Sequence, residues 1–152
     1  MSEPAADKRK VKSIFVEGPI LPERIAASIA AHQSRTGIGA HDIFLGQVRA
    51  DVVDGRSVAA IEYSAYVPMA EEAMHRIREE TFALWDLSCM HVYHSLGRVE
   101  AGAICLFVFV SAPHRQAAFD ACRHVVEGIK AHLPVFGREV FEDQGHQWKT
   151  NR

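Results

Sequence analysis

Three features of the 152-residue chain predict an α+β domain. Strand-like and helix-like stretches are mixed along it. An Asp-Gly pair inside Asp51–Arg56 (DVVDGR) marks a hairpin turn. A wholly apolar run, Ala103–Val110 (AICLFVFV), reads as a buried strand that leads directly into an amphipathic helix.

In order, Lys12–Glu17 is a short strand stopped by Gly18-Pro19, and Pro22–Gln33 is a helix with Ile25, Ala26, Ile29 and Ala30 on one face. Thr36–Gly39 is a loop. Asp42–Ala50 is a strand that the Asp-Gly turn pairs with Ser57–Tyr66. Pro68 starts a long helix to about Trp85, with Met69, Ala73, Ile77, Thr81 and Leu84 along its apolar face. Met90–Ser95 and Ala103–Val110 are strands around a loop, Leu96–Gly102. Glu139–Glu142 is a last strand before a polar tail, Gln144–Arg152.

The stretch from Val110 to Glu139 organises the rest. Ser111-Ala112-Pro113 ends the buried strand, with Ser111 a candidate N-cap and Pro113 tolerated in a first turn. Ala118, Ala121, Cys122, Val125, Ile129 and Leu133 recur at helical spacing, and Pro134 ends the helix. His114 and Arg115 sit at its start, where free N–H groups and the helix dipole favour an anion. Lys130 sits near its end. Fifteen residues separate Arg115 from Lys130, so a continuous helix holds them roughly 22 Å apart. Either they serve different sites, or one site draws on two protomers; the second reading is preferred.

Composition narrows the function classes. The chain has the length of one domain, with residues 1–11 a flexible tail and 12–152 the folded part. A net charge of −2 gives no basic field for nucleic acid. Cys89, Cys105 and Cys122 are odd in number, lack CxxC spacing and sit in apolar patterns, as buried thiols of a reducing compartment do. No run approaches the length of a membrane span, and the N-terminus lacks a signal-peptide core, so a cytoplasmic location is expected.

Arg49, at the end of Phe44-Leu45-Gly46-Gln47-Val48-Arg49, is suited to bidentate phosphate binding, and Gly46 to a bulge or a close backbone approach. An exposed hairpin arginine is the competing reading. His114-Arg115 reads as an anion site or as a solvated first turn. Lys130 reads as an acid, base or nucleophile, or as a lysine reaching to water. Nine histidines raise the question of a metal. In Cys89-x-His91-x-x-His94, Cys89 and His91 share a strand face while His94 points the other way. His124 and His132 have no partner at chelating spacing, so neither a metal nor a cofactor is expected.

Four ordered segments carry a family likeness: FLGQVR at 44–49, EYSAY at 62–66, SAPHR at 111–115 and IKAHLPVFGRE at 129–139. Together with VYHSLGRVEAG at 92–102, they resemble the large, catalytic subunit of molybdopterin synthase. The resemblance implies an α/β-hammerhead-like fold with an additional antiparallel β subdomain, and a central homodimer. It implies a small ubiquitin-like partner whose C-terminal Gly-Gly carries a thiocarboxylate. Its sulfur goes to cyclic pyranopterin monophosphate, making the dithiolene of molybdopterin. Lys130 matches the family's essential lysine. The substrate-binding set it implies is Gln47, Val48, Arg49, His114, Arg115, Lys130, Gly137, Arg138 and Glu139. Two family lysines are replaced here, by Gln47 and by Gly137 in Pro134-Val135-Phe136-Gly137-Arg138-Glu139. Those losses keep open a non-catalytic paralogue that binds a small carrier protein or a phosphorylated ligand.

Overall fold

A computed structural model describes residues 13–143 and 145–149. The predicted tail at 1–11 lies outside the described residues. The elements are β1 (Phe15–Glu17), α1 (Pro22–His32), β2 (Ala40–Gln47), β3 (Val52–Val53), β4 (Arg56–Ala65), α2 (Val67–Leu84), β5 (Cys89–Glu100), β6 (Ile104–Ala112), α3 (Arg115–His132), β7 (Val135–Phe141) and β8 (His146–Trp148). The eight strands make one sheet in the order β2-β6-β5-β4-β7-β8. β1 adds to β5 in parallel and β3 adds to β4. The α+β expectation holds.

The long strand β5 divides this sheet into two halves. Its first part, Cys89 to His94, pairs with β6, and its second part, Gly97 to Glu100, pairs with β4. Gly97, where the second part begins, has φ +83, a conformation that glycine adopts without a side-chain clash. On one face of the first half, α2 and α3 cover a core of Met74, Ile77, Leu106, Val108, Val110, Val125 and Ile129. On the other face, Ile20, Phe107 and Phe109 form a smaller cluster beside Ile25 of α1. The second half has its own core, built on Val58, Ile61, Val99 and Phe141.

The α3 stripe is buried at every predicted position, Ala118, Ala121, Cys122, Val125, Ile129 and Leu133. Elsewhere the structure corrects the sequence. The Asp54-Gly55 turn forms, with φ of 53 and 75, but it joins β4 to the two-residue β3. The strand before it, β2, pairs instead with β6, whose wholly buried residues need a neighbour on each side. The predicted loop 96–102 is mostly strand, because β5 runs on to Glu100. In α2 the buried face is Ala70, Ala73, Met74, Ile77 and Thr81, leaving Met69 and Leu84 exposed. Ser111 is not a cap; it lies within β6, its hydroxyl bonded to His41 Nδ1 at 2.7 Å, and His114 takes the N-cap position. The last predicted strand starts earlier, at Val135. Finally, α1 buries only His32, so the apolar face assigned to it stays largely in solvent.

Candidate functional site

The buried run of β6 delivers the chain to α3, and α3 returns along it. The two ends of this unit carry different cations. At the far end of β6, beside Ala112, stand His114 and Arg115, both exposed. At the near end, β2 finishes with Gln47 opposite Ile104. The register shifts between Gly46 and Gln47, which is the bulge Gly46 was expected to mark. Gln47 is exposed, Val48 is buried, and Arg49 pairs with Asp51 at 3.2 Å while its side chain stays 61% exposed. Eight residue steps of strand separate the two ends, about 26 Å. Within one chain, therefore, His114 and Arg115 are not brought to Lys130 or to Arg49.

Lys130 projects from the last turn of α3 at that near end. Its charge falls on His94 of β5, which is only 4% exposed. Burial pushes the His94 imidazole down to about 4, the Lys130 charge pushes the same way, and the Ser95 carbonyl opposes both. His94 Nδ1 donates to that carbonyl at 2.8 Å, so in the neutral ring that the lowered pKa favours the lone pair is on Nε2. The Tyr63 ring packs edge-on against it, with centroids 5.2 Å apart. Burial, with the Cys105 thiol beside it, raises the Tyr63 phenol far above its usual range.

The remaining predicted residues line the β4–β7 edge of this region. Gly137 faces Tyr63 in register, and a Cβ there would lie 2.9 Å from Ile61 Cγ2 and 3.3 Å from Tyr63 Cε1. Arg138 is ion-paired with Glu62, and this holds the Glu62 carboxyl below its ordinary value. A shallow groove runs past Glu62, Tyr63, Gly97, Arg98, Arg138 and Trp148. Glu139 is buried and accepts a bond from Gln147 Nε2 at 3.0 Å. The structure thus gathers Lys130 with His94 and Tyr63, and pairs Arg138 with Glu62, the residue before Tyr63. His94 and Tyr63 were not anticipated in this role. A cleft of about 250 Å³ between α2 and β5 contains none of the predicted site residues.

One arrangement departs from the sequence reading of the histidines. Cys89 and His91 do share a face of β5, and the fold adds His32 from α1 to them. Their ligand-type atoms lie within 4.8 Å of one another. Sequence spacing does not bring His32 into this set, because 57 residues separate it from Cys89.

The model of the MoaE protein family matches residues 17–132. The chain belongs to the MoaE family. That span contains Gln47, Val48, Arg49, His114, Arg115 and Lys130, and it stops short of Gly137, Arg138 and Glu139. Among MoaE relatives, a protein of Oryza sativa subsp. indica named molybdopterin synthase catalytic subunit is 40% identical over 121 residues, which is 80% of this chain and 62% of the relative. A protein of the same name from Pseudomonas aeruginosa is 37% identical over 123 residues, 81% of each. The crystal structure of molybdopterin synthase from Staphylococcus aureus superposes with a TM-score of 0.77 at 29% identity, covering 91% of this chain and 97% of that one. The chain spans less than two thirds of the length of the rice relative. Among the described residues, no helix is long and apolar enough to cross a membrane.

Proposed function

We propose that this chain is the large, catalytic subunit of a molybdopterin synthase, a sulfurtransferase of molybdenum-cofactor biosynthesis acting in the cytoplasm. Sulfur passes from the thiocarboxylated C-terminal Gly-Gly of a small ubiquitin-like subunit to cyclic pyranopterin monophosphate. The observation that carries the reading is Lys130. It stands in the family's lysine position, and the imidazole it acts on, His94, is buried and neutral. A fixed cation there sits beside the thiocarboxylate carbonyl and stabilises the charge that develops during sulfur attack, or passes a proton there.

Arg49 and the neighbouring Gln47, carried on the buried Val48, and the His114-Arg115 pair bind the pterin phosphate. Because His114 and Arg115 sit at the opposite end of α3 from Lys130, the pocket is assembled from two protomers of a homodimer. Each protomer carries one small subunit, giving a heterotetramer, and the β7 segment Gly137-Arg138-Glu139 borders the path of the carrier tail. The test is single-turnover product formation with thiocarboxylated small subunit. Lys130→Ala lowers it by at least about 100-fold, and turnover near the wild-type rate refutes the role given to Lys130.

A second reading, a non-catalytic paralogue binding a carrier or a phosphorylated ligand, is favoured by Gly137. The place of the family's second lysine is closed here by Ile61 and Tyr63. Turnover of the pterin precursor by the wild-type chain with its cognate small subunit eliminates that reading.

A further inference from the structure

On the sheet face turned away from Lys130, three side chains converge that the proposed reaction does not use. His32 Nε2 lies 3.2 Å from Cys89 Sγ and 3.1 Å from His91 Nε2, and Cys89 Sγ lies 2.9 Å from His91 Nε2. His32 is buried at the end of α1, while Cys89 and His91 are half-buried at the start of β5.

The protons available do not satisfy this triangle. His32 Nδ1 lies 2.7 Å from the Ser28 carbonyl oxygen, which can only accept, so Nδ1 carries the hydrogen. In the neutral ring Nε2 is then a bare lone pair. Cys89 brings one S–H, and His91 Nε2 brings either one proton or one lone pair. Three contacts therefore share at most two protons, so at least one of them has no hydrogen of its own. A bound cation removes the conflict by taking all three lone pairs.

We propose that His32, Cys89 and His91 form a binding site for a zinc-class divalent cation. Binding displaces the thiol proton to solvent, Cys89 ligates as thiolate, and water completes a tetrahedral set. Imidazole and thiolate donors together suit zinc. With Zn–N about 2.0–2.1 Å and Zn–S about 2.3 Å, tetrahedral ligand atoms stand roughly 3.3–3.6 Å apart. The trio needs to open by roughly 0.2–0.7 Å to reach that spacing, most at the Cys89–His91 contact. The surroundings are those of a metal site as well. The Ser28 carbonyl fixes the ring and tautomer of His32, as a second partner does for metal-bound imidazoles. Phe109 backs the cluster, its ring 4.9 Å from that of His32. His41, whose ring is 6.3 Å from that of His32, is engaged by Ser111 Oγ and is not part of the set.

The placement also gives the cation a structural consequence. His32 is the one buried side chain of α1. A metal joining it to Cys89 and His91 pins the end of that helix to the sheet. Binding energy of this kind adds to folding stability.

The experiment is cobalt titration of the full chain after treatment with a chelator, followed by zinc competition. The expected result is one cobalt per chain, tetrahedral d–d bands, a near-ultraviolet sulfur-to-cobalt band, and displacement by zinc with a rise in Tm. Cys89→Ser removes the sulfur band, and His91→Asn weakens binding by about 10- to 100-fold or more. His91→Asn changes a half-exposed residue, so it serves where Cys89→Ser fails to fold. Cys122→Ala, at a thiol that burial pushes up to about 12, leaves the spectrum unchanged. A wild-type chain without the sulfur band, or a band that survives in folded Cys89→Ser, overturns the site.

Discussion

His91 and His94 stand three residues apart on β5 and face opposite sides of the sheet. His94 meets a cation already fixed in the chain, Lys130, and together with burial this holds its ring neutral. His91 meets two further lone-pair donors, Cys89 and His32. The same residue type on one strand is thus turned to different uses by what its face brings to it. Where the protein supplies the positive charge, a buried imidazole is held neutral. Where it supplies only donors, the positive charge has to come from outside.

The largest effect expected on the His94 side is from Lys130→Ala. Turnover falls about 100- to 10,000-fold, or roughly 3–5 kcal/mol of barrier. Lys130 is exposed, so stability should change by no more than about 0.5 kcal/mol. The same substitution raises the His94 pKa, because the charge removed was lowering it. NMR titration of His94 checks that direction. An unchanged pKa breaks the pairing of Lys130 with His94 on which the comparison stands.

The next effect is on stability against pH. His94 titrates near 4 in the folded chain and at 6.5 as an ordinary histidine. Between those values the unfolded chain binds more protons, so stability falls as the pH drops from about 6.5 towards 4 and is unaffected by this group above 6.5. The full difference is on the order of 3 kcal/mol. Urea denaturation of wild type and His94→Gln at pH 7 and pH 4.5 measures it. The wild type should lose more stability over that interval, and equal losses refute the assignment.

The sequence revealed these two sides unequally. Period-two alternation was enough to put Cys89 and His91 on one face and His94 on the other. The helical stripe of α3, with Lys130 near its end, was equally legible because one helix packs against one sheet face. What spacing alone did not reveal came from pairing between distant segments. His32 reaches Cys89 only because the end of α1 comes down beside the start of β5, and Tyr63 reaches His94 only because β4 pairs with β5 from Gly97 on. The mistaken pairing of β2 with β4 has the same origin. An Asp-Gly signal fixes a turn, but it does not fix how far its strands run. The α2 face was misread by a small rotation, since Met69 and Leu84 are as apolar as the residues that are buried.

A smaller effect tests how closely Tyr63 is held against His94. Gly137→Ala places a methyl 2.9 Å from Ile61 Cγ2, a rigid branch that has little room to move. The expected cost is about 1–3 kcal/mol in urea denaturation, from overpacking. Ser64→Ala, at an exposed neighbour on β4, should be near neutral. If Gly137→Ala is also neutral, the absence of the family's lysine is not explained by crowding at Ile61 and Tyr63.

The smallest effect concerns Arg49, which separates binding from chemistry. Its ion pair with Asp51 is largely solvated, and such pairs contribute between zero and about 1 kcal/mol. Arg49→Ala should therefore leave the melting curve almost in place. If the guanidinium binds the pterin phosphate equally in ground and transition states, its loss raises KM about 10-fold, near 1.4 kcal/mol, with kcat unchanged. Asp51 competes for the same guanidinium, so Asp51→Asn should lower KM. A fall in kcat with KM constant would put Arg49 with Lys130 in the reacting set, and parallel effects of Arg49→Ala and Asp51→Asn would make the pair a purely structural hairpin contact.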